Sequence, residues 1–75
     1  MKITVDTGSW AAAYVNQRLV SLDLPEASNV ADVLDAVGIP QEEAGLAILD
    51  GKVISREHSL SEGDSVKIQP MVLGG

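Results

Sequence analysis

The chemistry this chain offers is concentrated at its end. Met71-Val72-Leu73-Gly74-Gly75 closes the sequence on two consecutive glycines. Glycine is ordinarily used where a backbone bends or is closely approached. At the end of a chain neither use lies within the fold, so the pair points outward. It offers a backbone slim enough to enter another protein, with the α-carboxylate of Gly75 as the functional group.

The side chains compete poorly for that role. There is no Cys, which excludes disulfides, thiolate metal sites and thiol catalysis. The one His, His58, stands in a polar stretch beside Glu57 and reads as exposed. Glu42, Glu43, Asp50, Glu57, Glu62 and Asp64 fall in separate turns without calcium-loop spacing, so they read as solvated acidic surface and no metal site is expected. Asp6-Thr7-Gly8 matches the tripeptide of aspartic proteases. That chemistry needs two aspartates sharing a proton, here one from each chain of a dimer. No flap or matching C-terminal helix pattern accompanies it, and Asp6 reads as the end of a strand before a turn.

The totals set the limits. Seventy-five residues with 45% hydrophobic content make one domain with one modest core. Eleven acidic against five basic residues give a net charge of -6. That argues against nucleic acid, where affinity comes from Lys and Arg on phosphates. It suits a partner with a basic docking surface, or simply keeps a small protein soluble. No apolar stretch resembles a signal peptide or a membrane span, so a cytoplasmic location and no membrane partner are expected.

The elements that would carry the tail follow from periodicity. Lys2 to Asp6 alternates as a half-buried strand through Ile3 and Val5. Ser9 is positioned to cap a short helix from Trp10 to Asn16, with Trp10, Ala13 and Tyr14 on one face. Trp10 and Tyr14 read as cover for one end of the core. Leu19 to Leu24 alternates again and stops at Pro25. Val30, Val33, Leu34 and Val37 form one apolar helical stripe. Asn29 or Ser28 can cap that helix, Asp32 suits its first turn, and Gly38 with Pro40 stops it.

Pro40 to Ala44 reads as one helical turn and Leu46 to Leu49 as a buried strand. Asp50-Gly51 before Lys52-Val53-Ile54 is a hairpin signal. Leu60 pins the polar stretch from Ser55 to Ser61 to the core, and Ser61 to Asp64 is a turn. Ser65 to Gln69 alternates through Val66 and Ile68 before Pro70 ends regular pairing or lies at an edge. The expected class is α+β. One main helix covers one face of a mixed sheet of four or five strands, because neither buries its apolar face alone.

This order, with its terminal Gly-Gly, resembles the ubiquitin-like β-grasp sulfur carriers, namely the thiamine-pathway carrier and the small subunit of molybdopterin synthase. Leu24-Pro25-Glu26 through Asn29 to Leu34 resembles their strand exit and helix entry. Ala47 to Val53 resembles their central hairpin. Leu60 to Ile68, then Pro70 and Gly74-Gly75, resembles their last turn, strand and tail. Ser9 to Asn16 is closer to the molybdopterin branch and Met71-Val72 to the thiamine branch, which leaves the pathway open.

The resemblance implies a non-enzymatic β-grasp domain over residues 1–70 and a tail over 71–75. It implies that Gly75 is adenylated by an E1-like activating enzyme, which supplies ATP and Mg²⁺, and then becomes a thiocarboxylate. No cofactor would be bound by the chain itself. A sulfur-acceptor synthase subunit would be the second partner. Gly74, Leu73, Val72 and Met71 would serve tail recognition. Ordering a tail costs roughly 1–2 kcal/mol per residue. Burial of Met71, Val72 and Leu73 recovers roughly 1.5–3 kcal/mol each. In the other arrangement Met71 to Leu73 continue the final strand and only the glycines protrude. Two other functional classes share these features. One is a ubiquitin-like modifier joined to lysines through Gly75, and the other is a plain β-grasp interaction domain.

Overall fold

The computed structural model describes residues 1–71. Five strands and one α-helix are formed: β1 (Lys2–Asp6), β2 (Leu19–Asp23), α1 (Val30–Val37), β3 (Ala44–Leu49), β4 (Lys52–Ile54) and β5 (Ser65–Pro70). Two short 3₁₀ helices, Ser9–Ala13 and Gln41–Glu43, join them. The sheet order is β2-β1-β5-β3-β4. β1 and β5 pair in parallel at the centre, and every other neighbouring pair is antiparallel. This is the ubiquitin-like β-grasp arrangement, a mixed five-stranded sheet with one main helix.

α1 forms where the stripe places it. Val30, Val33 and Leu34 are fully buried, while Asp32 and Asp35 are exposed. Its entry is a reciprocal capping box. The Asn29 side chain accepts from Asp32 N–H at 3.0 Å, and the Asp32 carboxylate accepts from Asn29 N–H at 2.9 Å. At the far end Gly38 N–H bonds Leu34 O at 3.0 Å and closes the last turn. Asn29→Ala is expected to cost about 1 kcal/mol, read as a lower midpoint in urea at constant slope.

Against α1 pack Ile3, Val5, Val66, Ile68 and Ala47 from the three central strands, with Leu60 and Ile39 closing the ends. Leu60 is held by its N–H to Ser28 O at 2.8 Å, so the polar stretch around it is pinned as expected. Arg56 completes this corner. Its guanidinium donates to Gln41 Oε1 at 2.9 Å and to Ala44 O, and its own carbonyl accepts from Ala31 N–H. Gln41 in turn donates to Ala31 O and Asp35. Helix, 3₁₀ turn and the start of β3 are thereby fastened together.

Two sequence expectations need correction. The first helix is a 3₁₀ segment over Ser9–Ala13, not a helix from Trp10 to Asn16, and Gly8 rather than Ser9 precedes it. Trp10 is half-buried against the core, but Tyr14 is exposed. One short turn can turn only one of the two rings inward. The run Leu46 to Leu49 is not a wholly buried strand. Ala47 faces the helix, whereas Leu46 is 46% exposed, because among the described residues no element packs on the other side of the sheet. Pro70 is the last residue of β5, so regular pairing stops there as expected. It lies opposite Ala44 across a break in register at Gly45.

The hairpin is as expected. Asp50 and Gly51 have φ of 52° and 78°, the left-handed pair required by a two-residue connection between Leu49 and Lys52.

Candidate functional site

The site is the exit of β5 and the sheet surface beside it. Alternation turns Val66 and Ile68 toward the helix and Ser65, Lys67 and Gln69 away from it. The register then aligns one row across all five strands on the uncovered face: Leu19, Asp6, Lys67, Ile48 and Val53. Leu46 stands beside Gln69 in the next row toward the tail. Val53 is 63% exposed and, with Leu46 and Ile48, makes an apolar area on the β3–β4 side. Met71 is also exposed.

The charge on this face differs from that of the whole chain. Asp6 and Asp23 are the acidic residues carried by the strands, and they are offset by Lys2 and Lys67. The acidic excess resides in α1 and the connections, for example Asp32, Asp35, Glu42, Glu43 and Glu57. The strand face is therefore close to neutral, whereas Glu42 and Glu43 bring acidic charge beside the exit, where Met71 N–H meets Glu43 O.

Met71 is the last tail residue whose place is described. Its N–H donates to Glu43 O at 3.0 Å, one step past the end of β5. The chain is therefore still attached to the β3 side when it leaves the sheet. Val72, Leu73, Gly74 and Gly75 lie outside the described residues, and the expectations placed on them rest on sequence.

The rejected side-chain sites have local explanations. Asp6 Oδ1 accepts from Gly8 N–H at 3.0 Å and from Arg18 Nε at 3.3 Å. Thr7 is buried, and its hydroxyl lies 3.1 Å from the carbonyls of both Gln17 and Arg18. The Asp-Thr-Gly segment thus ties the end of β1 to the entrance of β2. Among the described residues no three His, Asp or Glu side chains gather as metal ligands. No helix there is long and apolar enough to cross a membrane.

Sequence reasoning missed two contributors to the exit, Gly45 and the Trp10 indole. Gly45 carried a weak signal, a lone glycine in a strand run, which often marks a bulge or a close backbone approach.

Comparison with known structures agrees with this architecture. Small archaeal modifier protein 1 from Haloferax volcanii superposes with a TM-score of 0.76 at 19% identity, covering 100% of both chains. A second structure of that protein gives 0.76 at 17% identity, over 95% of this chain and 98% of the other. A putative molybdopterin converting factor, subunit 1, from Pyrococcus furiosus gives 0.76 at 19% identity, over 96% and 99%. These likenesses concern the fold. At the level of sequence, residues 11–73 match the family model for the Mut7-C ubiquitin domain. That match runs from the 3₁₀ segment through all of β2 to β5, and on it this chain belongs to the Mut7-C ubiquitin family of ubiquitin-like domains.

Proposed function

We propose that this chain is a sulfur carrier that works through the α-carboxylate of Gly75. The observation that carries the reading is the exit of β5. The strand leaves the sheet beside an uncovered apolar area and is followed, four residues after Met71, by Gly75 at the end of a Gly-Gly pair. The apolar area around Leu46, Ile48 and Val53 gives an activating enzyme a place to dock. Gly74 and Gly75 give it a backbone that fits a narrow channel.

A carboxylate is a poor electrophile, so it must first be activated. A Gly75 carboxylate oxygen attacks the α-phosphorus of ATP, held with Mg²⁺ by the E1-like partner, and pyrophosphate leaves. A hydrosulfide-class donor then attacks the acyl carbon. The bond to AMP breaks, and the terminus becomes a thiocarboxylate. The chain has no Cys to hold sulfur as a persulfide, so its own terminus is the available carrier. The acceptor would be a synthase subunit that builds a pterin dithiolene or a thiazole.

The test is the intact mass of the chain after incubation with an E1-like enzyme, Mg·ATP and a sulfide donor. Replacement of one oxygen by sulfur is expected. An unchanged mass, under conditions in which the enzyme loads its own carrier, would overturn the reading.

A modifier is the second reading, and the likeness to small archaeal modifier protein 1 over the full length of both chains favours it. Adducts of higher mass that survive reducing agent would point to isopeptide bonds from Gly75 to lysines.

A further inference from the structure

The end of β5 is held from both flanks. On the β3 side the register breaks between Ala44 and Leu46, with Gly45 as the bulge. A Cβ at Gly45 would lie 2.8 Å from the carbonyl carbon of Pro70 and 3.0 Å from Met71 Cα, and still closer to Pro70 O. All three are backbone atoms and cannot swing aside. The Met71 N–H bond to Glu43 O spans the same bulge. On the β1 side, pairing ends where Asp6 meets Lys67, so Ile68 lies one residue past the neighbouring strand. Its carbonyl accepts from Trp10 Nε1 at 3.1 Å. Trp10 is seated on Gly8, where a Cβ would lie 2.9 Å from the indole Cδ1. The indole thus takes the place of a strand that has run out.

We propose that Gly45 and Trp10 are positioning residues that anchor the chain at Met71 and thereby set the reach of Gly75. This rests on the carrier reading above. Four residues follow the anchor, and an extended chain spans at most roughly 3.3–3.6 Å per residue, so Gly75 reaches about 14 Å beyond it. An activating partner must hold the reacting phosphorus no deeper than that below the surface on which Met71 rests. A fixed root also removes the lateral freedom that a strand end held on one flank would keep.

The experiment compares wild type, Gly45→Ala and Trp10→Phe by two measurements. The first is hydrogen exchange at the Met71 amide in the isolated protein. The second is ATP–pyrophosphate exchange with an E1-like enzyme, resolved into kcat and KM for the carrier. In wild type the Met71 amide is expected to be protected. In Gly45→Ala it is expected to exchange about tenfold faster or more, with kcat lower by up to about 10²-fold, the scale of a ~1 Å misplacement. KM should change little, because Leu46, Ile48 and Val53 keep their side chains. Trp10→Phe keeps an aromatic ring but removes the donor to Ile68 O. It should shift both readouts the same way and more weakly, and it serves if Gly45→Ala does not fold. An unprotected Met71 amide in wild type overturns the anchor. So does fast exchange in the variants with an unchanged kcat. If wild type is never adenylated, the carrier reading fails and the reach loses its meaning. The Met71 amide still decides separately whether the root is held.

Discussion

Removal of Gly75 is expected to abolish loading while leaving the denaturation midpoint unchanged. The core is built from residues between Ile3 and Ile68, and the last strand ends at Pro70. The core residues among those described all precede the tail, and Gly75 has no side chain to add to them. The chemistry loses much more. The new terminal carboxylate, on Gly74, falls short by one residue, roughly 3.3–3.6 Å. In-line attack needs reacting atoms about 3–3.5 Å apart, and errors near 1 Å already cost up to about 10²-fold. A shortfall several times larger should take the rate below detection in the intact-mass assay. Extension by one residue beyond Gly75 should do the same, because the Gly75 carboxyl becomes an amide. Wild-type loading of the shortened chain would show that Gly75 is not the reacting residue.

Leu34→Ala is expected to have the largest effect on stability. Leu34 is fully buried in the middle of the α1 stripe, beneath the sheet. Truncation of such a leucine costs about 2–5 kcal/mol, from lost transfer energy plus the cavity left behind. A domain of this size has roughly 4–11 kcal/mol in total, at about 0.05–0.15 kcal/mol per residue. One substitution therefore removes a large share, and the melting temperature should fall by at least about 10 °C. Leu19→Ala is the control. Leu19 is 63% exposed on an edge strand, and its loss should stay within about 0.5 kcal/mol. Equal effects from the two substitutions would mean that α1 does not organise the core.

Much of the scaffold was legible along the chain because its determinants are local. The i, i+3, i+4, i+7 spacing of Val30, Val33, Leu34 and Val37 needs no partner to be read. The same holds for Asn29 with Asp32, and for Asp50-Gly51 between two apolar runs. The errors arose where a neighbour decides. Leu46 is apolar and lies in an apolar run, yet it is exposed because the described residues cover the sheet on one face only. Tyr14 follows a turn that is shorter than alanine propensity suggests, so its ring stays outside.

The sequence by itself determined the α+β class, the single covering helix, the hairpin, and the Gly74-Gly75 pair on which the proposed function rests. Alternation and helical period state which residues share a face, and caps state where elements stop. Only the tertiary structure decided which strands are neighbours. The parallel pairing of β1 with β5 joins residues about sixty positions apart, and periodicity carries no information about such partners. That pairing puts β5 at the centre of the sheet. With the antiparallel pairing of β3 to β5 and to β4, it brings Asp6 into one row with Lys67, Ile48 and Val53 on the open face. It also leaves Ile68 just past the end of β1, where the Trp10 indole meets it, while Gly45 meets Pro70 from the other side. In the proposed function the two glycines carry the reacting group, and the packing around β5 determines where the chain that carries it leaves the sheet.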